Sequence, residues 1–335
     1  MGGPPVEPVT EAPGTADPVT VLYVGGCGRS GSTLVDRILG AIDGTVAVGE
    51  LVHLIQRGLI ENEACGCGQP FRSCPFWVPV IDSALGAGPS GVDAEGLRSL
   101  QARVDRNRYV PRLVLPGLAS RSARSGSEDL DAYAALLGRL YQAIAAEAGV
   151  RVVVDSSKHA STAFLLRRVP GIDLRVVHLV RDARGMAYSW TKSVARPEAR
   201  TDRTMMHQHR PTKSAARWVG YNALFEILEA VTDVPTTRVI YEDFVADPRR
   251  QLDRILDGAG AGLDLDRRYP FLGEGWVELE PGHSVAGNPM RFSSGRLDLR
   301  VDTAWKQHMA AGDRRAVTTL ALPLLAAYGF LGRRP

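Results

Sequence analysis

The chain has 335 residues, 44% of them hydrophobic and 23% charged, with 40 Lys and Arg against 37 Asp and Glu for a formal net charge of +3. That length buries one enzyme-sized core, or one core with a subsidiary lobe. So small a net charge argues against a nucleic-acid partner and leaves room only for a local cationic pocket, and the dispersed arginines come without an aromatic stacking platform.

Residues 1–19 begin MGGPPVEPVTEAPGTADP and lack both a basic start and an apolar stretch. They read as a disordered tail on a cytoplasmic protein, because no run anywhere approaches the ~20 apolar residues a membrane-spanning helix needs. VTVLYV then predicts a buried strand, followed by the loop GGCGRSGSTL (25–34) and an amphipathic helix, TLVDRILGAI. Aligned on a Walker A loop, Gly26 and Gly31 hold the glycine positions and Thr33 the hydroxyl position, but Ser32 stands where the lysine should be. Such a loop still aims backbone N–H groups at an anion near a helix N-terminus, while it is poorly equipped to move a terminal phosphoryl group. The positive charge has shifted to Arg29, whose forked guanidinium suits a phosphate or sulfate oxygen.

In VAVGELVHL, Glu50 stands after a second predicted strand, with His53 three residues later. Three of the four cysteines cluster next, in CGCGQPFRSC at 65–74. They could hold zinc if Cys27 or His53 supplied a fourth ligand, but C-x-C-x₆-C is not a usual zinc spacing, which favours a local disulfide or reduced structural thiols. Residues 60–130, rich in Gly, Ser and Arg from 84 onward, read as a helical insertion with mobile loops over an acceptor site. Its Trp77, Tyr109 and the run VPRLVLPGL would suit a large amphipathic acceptor or simply pack on the sheet.

Three more β-branched runs follow: RVVVDSSK from 151, LRVVHLVRD from 174 and TRVIYEDF from 237. Alternation with helical patterns predicts an α/β fold, a P-loop-like three-layer α/β/α arrangement around a central parallel sheet. Ligands in such sheets bind beyond the carboxyl ends of the strands, which nominates Gly28 to Thr33, Asp155 to Lys158, Arg181 with Asp182, and Glu242 with Asp243. His178 reads as a core histidine, and Trp218 and Tyr241 as packing aromatics. The Gly/Pro/Ser-rich segment 281–302 is long for a loop inside a compact domain, which marks it as functional or disordered.

Together, Arg29-Ser30-Gly31-Ser32-Thr33 and the eight-residue spacing of Arg181 and Ser189 resemble the sulfotransferases that use 3′-phosphoadenosine 5′-phosphosulfate (PAPS). DSSK at 155, YEDF at 241, and HSVAGNPMRF followed by Asp302, Trp305 and Lys306 extend the resemblance over most of 20–310, nearest to bacterial members related to carbohydrate and tyrosylprotein sulfotransferases. It implies one domain over 20–335 that moves a sulfuryl group in line from PAPS to a hydroxyl, releasing PAP, with no metal required. Gly28, Arg29, Ser30, Gly31, Ser32, Thr33, Arg181, Ser189 and Arg291 would hold the nucleotide, with 281–302 covering it.

Glu50, its pKa raised by burial, would be the base with His53 as rival. Arg29 and Lys158 would stabilise the transferring group and the leaving phosphate, Lys158 also being within reach of an ion pair with Asp155. His283 would touch the leaving group. The acceptor is a hydroxyl of a sugar, a lipid-linked molecule, a secondary metabolite or a phenol, the glutamate inclining toward a sugar or other alcohol. The competing readings are a P-loop kinase or GTPase, against which the missing lysine counts, and a non-catalytic nucleotide- or sulfate-binding module.

Overall fold

The computed structural model describes residues 18–114, 123–195, 205–260 and 263–332. The predicted tail therefore falls almost wholly outside the described residues, as does the end of VPRLVLPGL. The chain opens with β1 (Val19–Gly26), α1 (Ser32–Leu39) and β2 (Thr45–Gly49). Next come the insertion helices α2 (Trp77–Leu85), α3 (Ala94–Val104) and α4 (Val110–Val114), then the long α5 (Ala123–Ala148). The second half runs β3 (Val152–Lys158), α6 (Ala160–Leu166), β4 (Ile172–Val180), α7 (Ala183–Ser189), α8 (Pro211–Val231), β5 (Thr236–Ile240), α9 (Tyr241–Ala246) and α10 (Pro248–Gly258). Three short strands, β6 (Leu272–Gly273), β7 (Trp276–Leu279) and β8 (Gly295–Asp298), precede α11 (Ala304–His308) and α12 (Ala311–Ala327).

The five long strands form one parallel sheet in the order β2-β3-β1-β4-β5. β1 lies at its centre with all eight residues buried, as a strand covered on both faces by helices must be. Alternation splits it cleanly. Val21 and Tyr23 join Val153, Val176, Leu137, Tyr141 and Phe164 on one face, while Leu22 and Val24 join Val154, Val177, Val35, Ile38, Leu252 and Ile255 on the other. A third cluster around Met186, Trp218, Trp305, Val317 and Leu325 seats the C-terminal helices. This is the three-layer α/β/α architecture the sequence pattern predicts.

Two segments differ from expectation. Within 281–302 the chain is built rather than loose: it carries a 3-10 turn at Pro289–Phe292 and β8, which pairs antiparallel with β7. The small sheet β6-β7-β8 escapes sequence reading because strands of two to four residues show no alternation. In the insertion, Trp77 is fully buried, stacked on Phe71 at 5.3 Å, so it belongs to the core and not to an acceptor surface. The guanidiniums of Arg108 and Arg112 lie 4.8 and 5.4 Å from the Tyr109 ring centre. Among the described residues, no helix is long and apolar enough to cross a membrane.

Candidate active site

The turn after β1 is made by two glycines that nothing else can replace. Gly26 has φ +134°, and a Cβ there would stand 2.3 Å from the Leu179 carbonyl oxygen of β4; Gly31, with φ +89°, caps α1 and leaves a Cβ only 2.1 Å from the Tyr241 ring. Between them Arg29 adopts φ +67°, a left-handed conformation costly for a residue with a side chain. Lys158, at the end of β3, does the same at +68°. Both strained residues line one cleft of about 390 Å³ beyond the carboxyl ends of the strands, where the strand order reverses around β1.

The cleft brings together Gly28, Arg29, Gly31, Ser32, Thr33, Glu50, Lys158, Arg181 and Ser189. Ser30 stays out of it, donating its hydroxyl to the Cys27 carbonyl at 2.6 Å and bracing the turn from within. Five cations (Arg29, Arg57, Lys158, Arg181 and Arg217) face a single carboxylate, Glu50. That imbalance in a concave, half-desolvated site selects an anionic ligand.

The Arg29 guanidinium lies 5.2 Å from the Trp190 ring centre and that of Arg217 5.9 Å, so one indole carries two cations. Arg181 is 7% exposed; it donates to the Arg29 carbonyl at 3.1 Å, lies 5.3 Å from the Tyr241 ring centre, and meets Asp302 at 3.4 Å. Asp302 also holds Lys192 at 3.2 Å, so a residue after β8 fixes the cationic end of the cleft. Trp218 donates its indole N–H to the Arg181 carbonyl at 2.9 Å, a core residue that positions a site residue. Tyr241, expected as packing alone, lines the cleft. His178 is the buried core histidine expected, with Nε2 2.9 Å from Asn222 Oδ1.

At the other end, Lys158 Nζ pairs with Glu50 Oε1 at 2.6 Å and donates to the Ser156 carbonyl at 2.9 Å. The alternative partner, Asp155, is taken: it accepts from Tyr141 at 2.5 Å and from Ser157 Oγ at 2.5 Å and N–H at 2.7 Å. Glu50 Oε2 also lies 3.4 Å from His53 Nε2. Burial pushes the Glu50 carboxyl up, but Lys158, then His53 and Arg57, outweigh it and hold the group well below the usual carboxylate range. The expected rise toward neutrality is thus reversed by the ion pair. Beside it, burial, reinforced by the charges of His53 and Lys158, depresses the His159 imidazole to about 3, so this ring is neutral at physiological pH.

Two residues expected in the site lie elsewhere. Arg291 is 1% exposed and donates to the carbonyls of Gly287 and Ala64, tying its own loop to the insertion instead of facing a phosphate. His283 packs with the cysteines, Nδ1 being 3.4 Å from Cys74 Sγ and 3.8 Å from Cys65 Sγ. The loop still reaches the cleft through Gly287, Asn288 and Met290, with the Asn288 N–H donating to Thr33 Oγ1 at 3.2 Å. Sequence reading missed His159, Trp190 and Arg217. The first two had a usable signal, each directly following a nominated residue.

A glycine-turned anion loop at the switch point of a parallel sheet, facing a carboxylate and several fixed cations, defines a P-loop-like α/β group-transfer fold. The chain belongs to the sulfotransferase family, whose profile matches residues 22–265. No curated protein matches it significantly. Among solved structures it is similar to the sulfotransferase domain of the Synechococcus PCC 7002 olefin synthase, at 20% identity and TM-score 0.47 over 97% of this chain and 99% of that one. It is also similar to the sulfotransferase domain of the curacin biosynthetic pathway (14%, TM-score 0.44, 91% and 97%) and to sulfotransferase STF9 from Mycobacterium avium (14%, TM-score 0.42, 94% and 77%).

Proposed function

We propose that this sulfotransferase uses PAPS as donor and transfers its sulfuryl group to a hydroxyl of a small-molecule or lipid-linked acceptor. The observation that carries the reading is the distribution of charge in the cleft: Arg181, with Ser189 also lining the cleft, after β4 at one end, Arg29 on the glycine turn, and the Lys158–Glu50 pair at the other. PAPS supplies an activated sulfuryl group and a phosphate leaving group. Arg181 and Ser189 would hold the 3′-phosphate, and the backbone of Gly28 to Thr33 with Arg29 would hold the 5′ end.

The Lys158–Glu50 pair gives the site an ordered way to create a base. Paired, Glu50 is a weak proton acceptor. Once Lys158 turns its ammonium toward the sulfuryl and bridging oxygens, burial is less opposed and the basicity of Glu50 rises, just when the acceptor hydroxyl must lose its proton. In the transfer that proton passes to Glu50, the acceptor oxygen bonds to sulfur, and the bond from sulfur to the phosphate oxygen breaks. Lys158 and Arg29 neutralise the charge that develops on the sulfuryl oxygens and the departing phosphate. His53, Arg57, His159 and Tyr221 form the neighbouring wall of the cleft, against which the acceptor would lie.

Calorimetric titration of PAP and of 5′-AMP, which lacks the 3′-phosphate, into the protein and into Arg181→Ala tests the reading. PAP should bind the parent protein at least ~10-fold more tightly than the variant, as expected for loss of a charge-assisted contact, with AMP affected far less. Equal affinities of both nucleotides for both proteins would overturn it.

A further inference from the structure

The cysteine cluster lies outside the cleft and has no part in the transfer. Cys65 and Cys74 are 1% and 0% exposed, Cys67 is half-buried, and all are free thiols. Cys74 Sγ lies 3.6 Å from Cys65 Sγ and 3.7 Å from Cys67 Sγ, contacts far too long for the ~2.05 Å of a disulfide bond. His283 Nδ1 completes the group, and the four ligand atoms all fall within 4.8 Å of one another.

These lengths have a specific meaning. A tetrahedral zinc ion with Zn–S of ~2.3 Å and Zn–N of ~2.05 Å separates its ligand atoms by about 3.8 Å for sulfur to sulfur and about 3.6 Å for sulfur to nitrogen. The sulfur pairs at 3.6 and 3.7 Å and the sulfur–nitrogen pairs at 3.4 and 3.8 Å match four of the six edges of such a tetrahedron, and the other two fall within 4.8 Å. We propose that Cys65, Cys67, Cys74 and His283 bind one structural Zn²⁺ that clasps the insertion to the loop covering the active-site cleft.

The surroundings are arranged as a metal site requires. Cys65 and Cys67 lie on a tight turn in which the Cys65 N–H donates to the Gln69 carbonyl and the Gly68 N–H to the Cys65 carbonyl, both at 2.8 Å. Gly66, between the two ligands, donates to the Ser284 carbonyl at 3.0 Å, and a Cβ there would stand 2.7 Å from the Gly282 oxygen. Only glycine lets the turn dock closely enough to meet His283. The imidazole is itself oriented: Phe76 stacks on it at 4.8 Å with planes 14° apart, and Trp77 Nε1 donates to the His283 carbonyl at 2.8 Å. Together the two contacts fix the place of the ring and of the backbone that carries it.

Four protein ligands close the coordination sphere, which makes the ion structural and not catalytic. Binding displaces the thiol protons, and three thiolates with a neutral imidazole leave a net single negative charge. What the clasp holds is plain from the chain beyond it. Two residues after His283, Val285 exchanges hydrogen bonds with Val48 and Glu50 at the end of β2, and Gly287 and Asn288 then reach Glu50 and Thr33. A ligand near residue 65 thereby fixes the loop that walls the general base.

The test is metal analysis of the full chain, purified without chelator, together with the Cys67→Ser, His283→Ala and Cys27→Ser variants. Expected are about one zinc per chain in the parent and in Cys27→Ser, a substantial loss in the other two, and a lower melting temperature after chelation that added Zn²⁺ restores. Denatured without reductant, the parent should release one zinc and expose four thiols, a readout that stands even if a variant fails to fold. Two thiols and no zinc would show a disulfide and overturn the proposal. Iron with visible charge-transfer absorption in place of zinc, or zinc lost from Cys27→Ser but kept by Cys67→Ser and His283→Ala, would overturn it equally.

Discussion

At the scale of single residues, Glu50 shows how a partner can reverse what burial alone would do. An isolated buried carboxyl is pushed up; this one, 2.6 Å from an ammonium, is held down. The sign for stability follows: a carboxyl depressed in the folded state stabilises it fully above the unfolded value of about 4.3, and the contribution fades as pH falls through the lower folded value. Replacing Lys158 with Met removes the main opposing charge. In a carboxyl-carbon NMR titration, with Glu50→Gln used to assign the signal, Glu50 of the parent should stay ionised below the pH where ordinary glutamates protonate, and in Lys158→Met it should titrate at least ~1 unit higher than in the parent. An unchanged titration in Lys158→Met would remove the ion pair as the cause and, with it, the switch proposed for creating a base.

At the scale of elements, the junction of β1 and α1 was readable because its chemistry is local: strand, glycines, hydroxyls and helix follow one another between Val19 and Leu39. The loop at 281–292 was not. Its path is set by the hydrogen bonds of Gly66 with Ser284 and of Val48 with Val285, contacts between segments more than two hundred residues apart. Arg291 and His283 were therefore drawn toward the nucleotide by a motif, while the fold turns one toward Ala64 and the other toward the cysteines. The junction yields its own prediction. Gly31→Ala puts a Cβ at φ +89° into the Tyr241 ring, so the turn must shift or the ring must move away from Arg181. Loss of about 1–3 kcal/mol in folding stability is expected from strain and overpacking, measured by urea denaturation, together with weaker PAP binding. A variant as stable and as tight-binding as the parent would show that the turn is not the constraint described.

At the scale of the whole molecule, the sheet order decides what the site contains. Placing β3 between β2 and β1 brings Lys158 opposite Glu50, and placing β4 on the other side of β1 brings Arg181 under the Arg29 turn. The strands themselves were legible as β-branched runs, and each nominated strand end except that of β5 proved to carry cleft residues from the expected set, with Tyr241 supplied there instead of Glu242 and Asp243. Which strand ends would meet as partners was not legible, since pairing is a property of topology and not of local composition. That is why an ion pair of Lys158 with its sequence neighbour Asp155 was the one within reach of a sequence reading, while the observed partner, Glu50, stands just after β2.

The ligand proposed for the cleft is a 3′-phosphorylated nucleotide that carries sulfate, not a magnesium triphosphate. Thermal unfolding of the purified chain with PAP, with ATP plus magnesium, and with neither tests that most directly. A ligand at ~100 times its Kd adds about 2.7 kcal/mol, which for a chain of this size raises the melting temperature by roughly 4 °C. A rise of that order with PAP, absent with ATP plus magnesium and lost in Arg181→Ala, is the predicted result. A rise with ATP plus magnesium and none with PAP would contradict it and return the glycine loop to phosphoryl transfer.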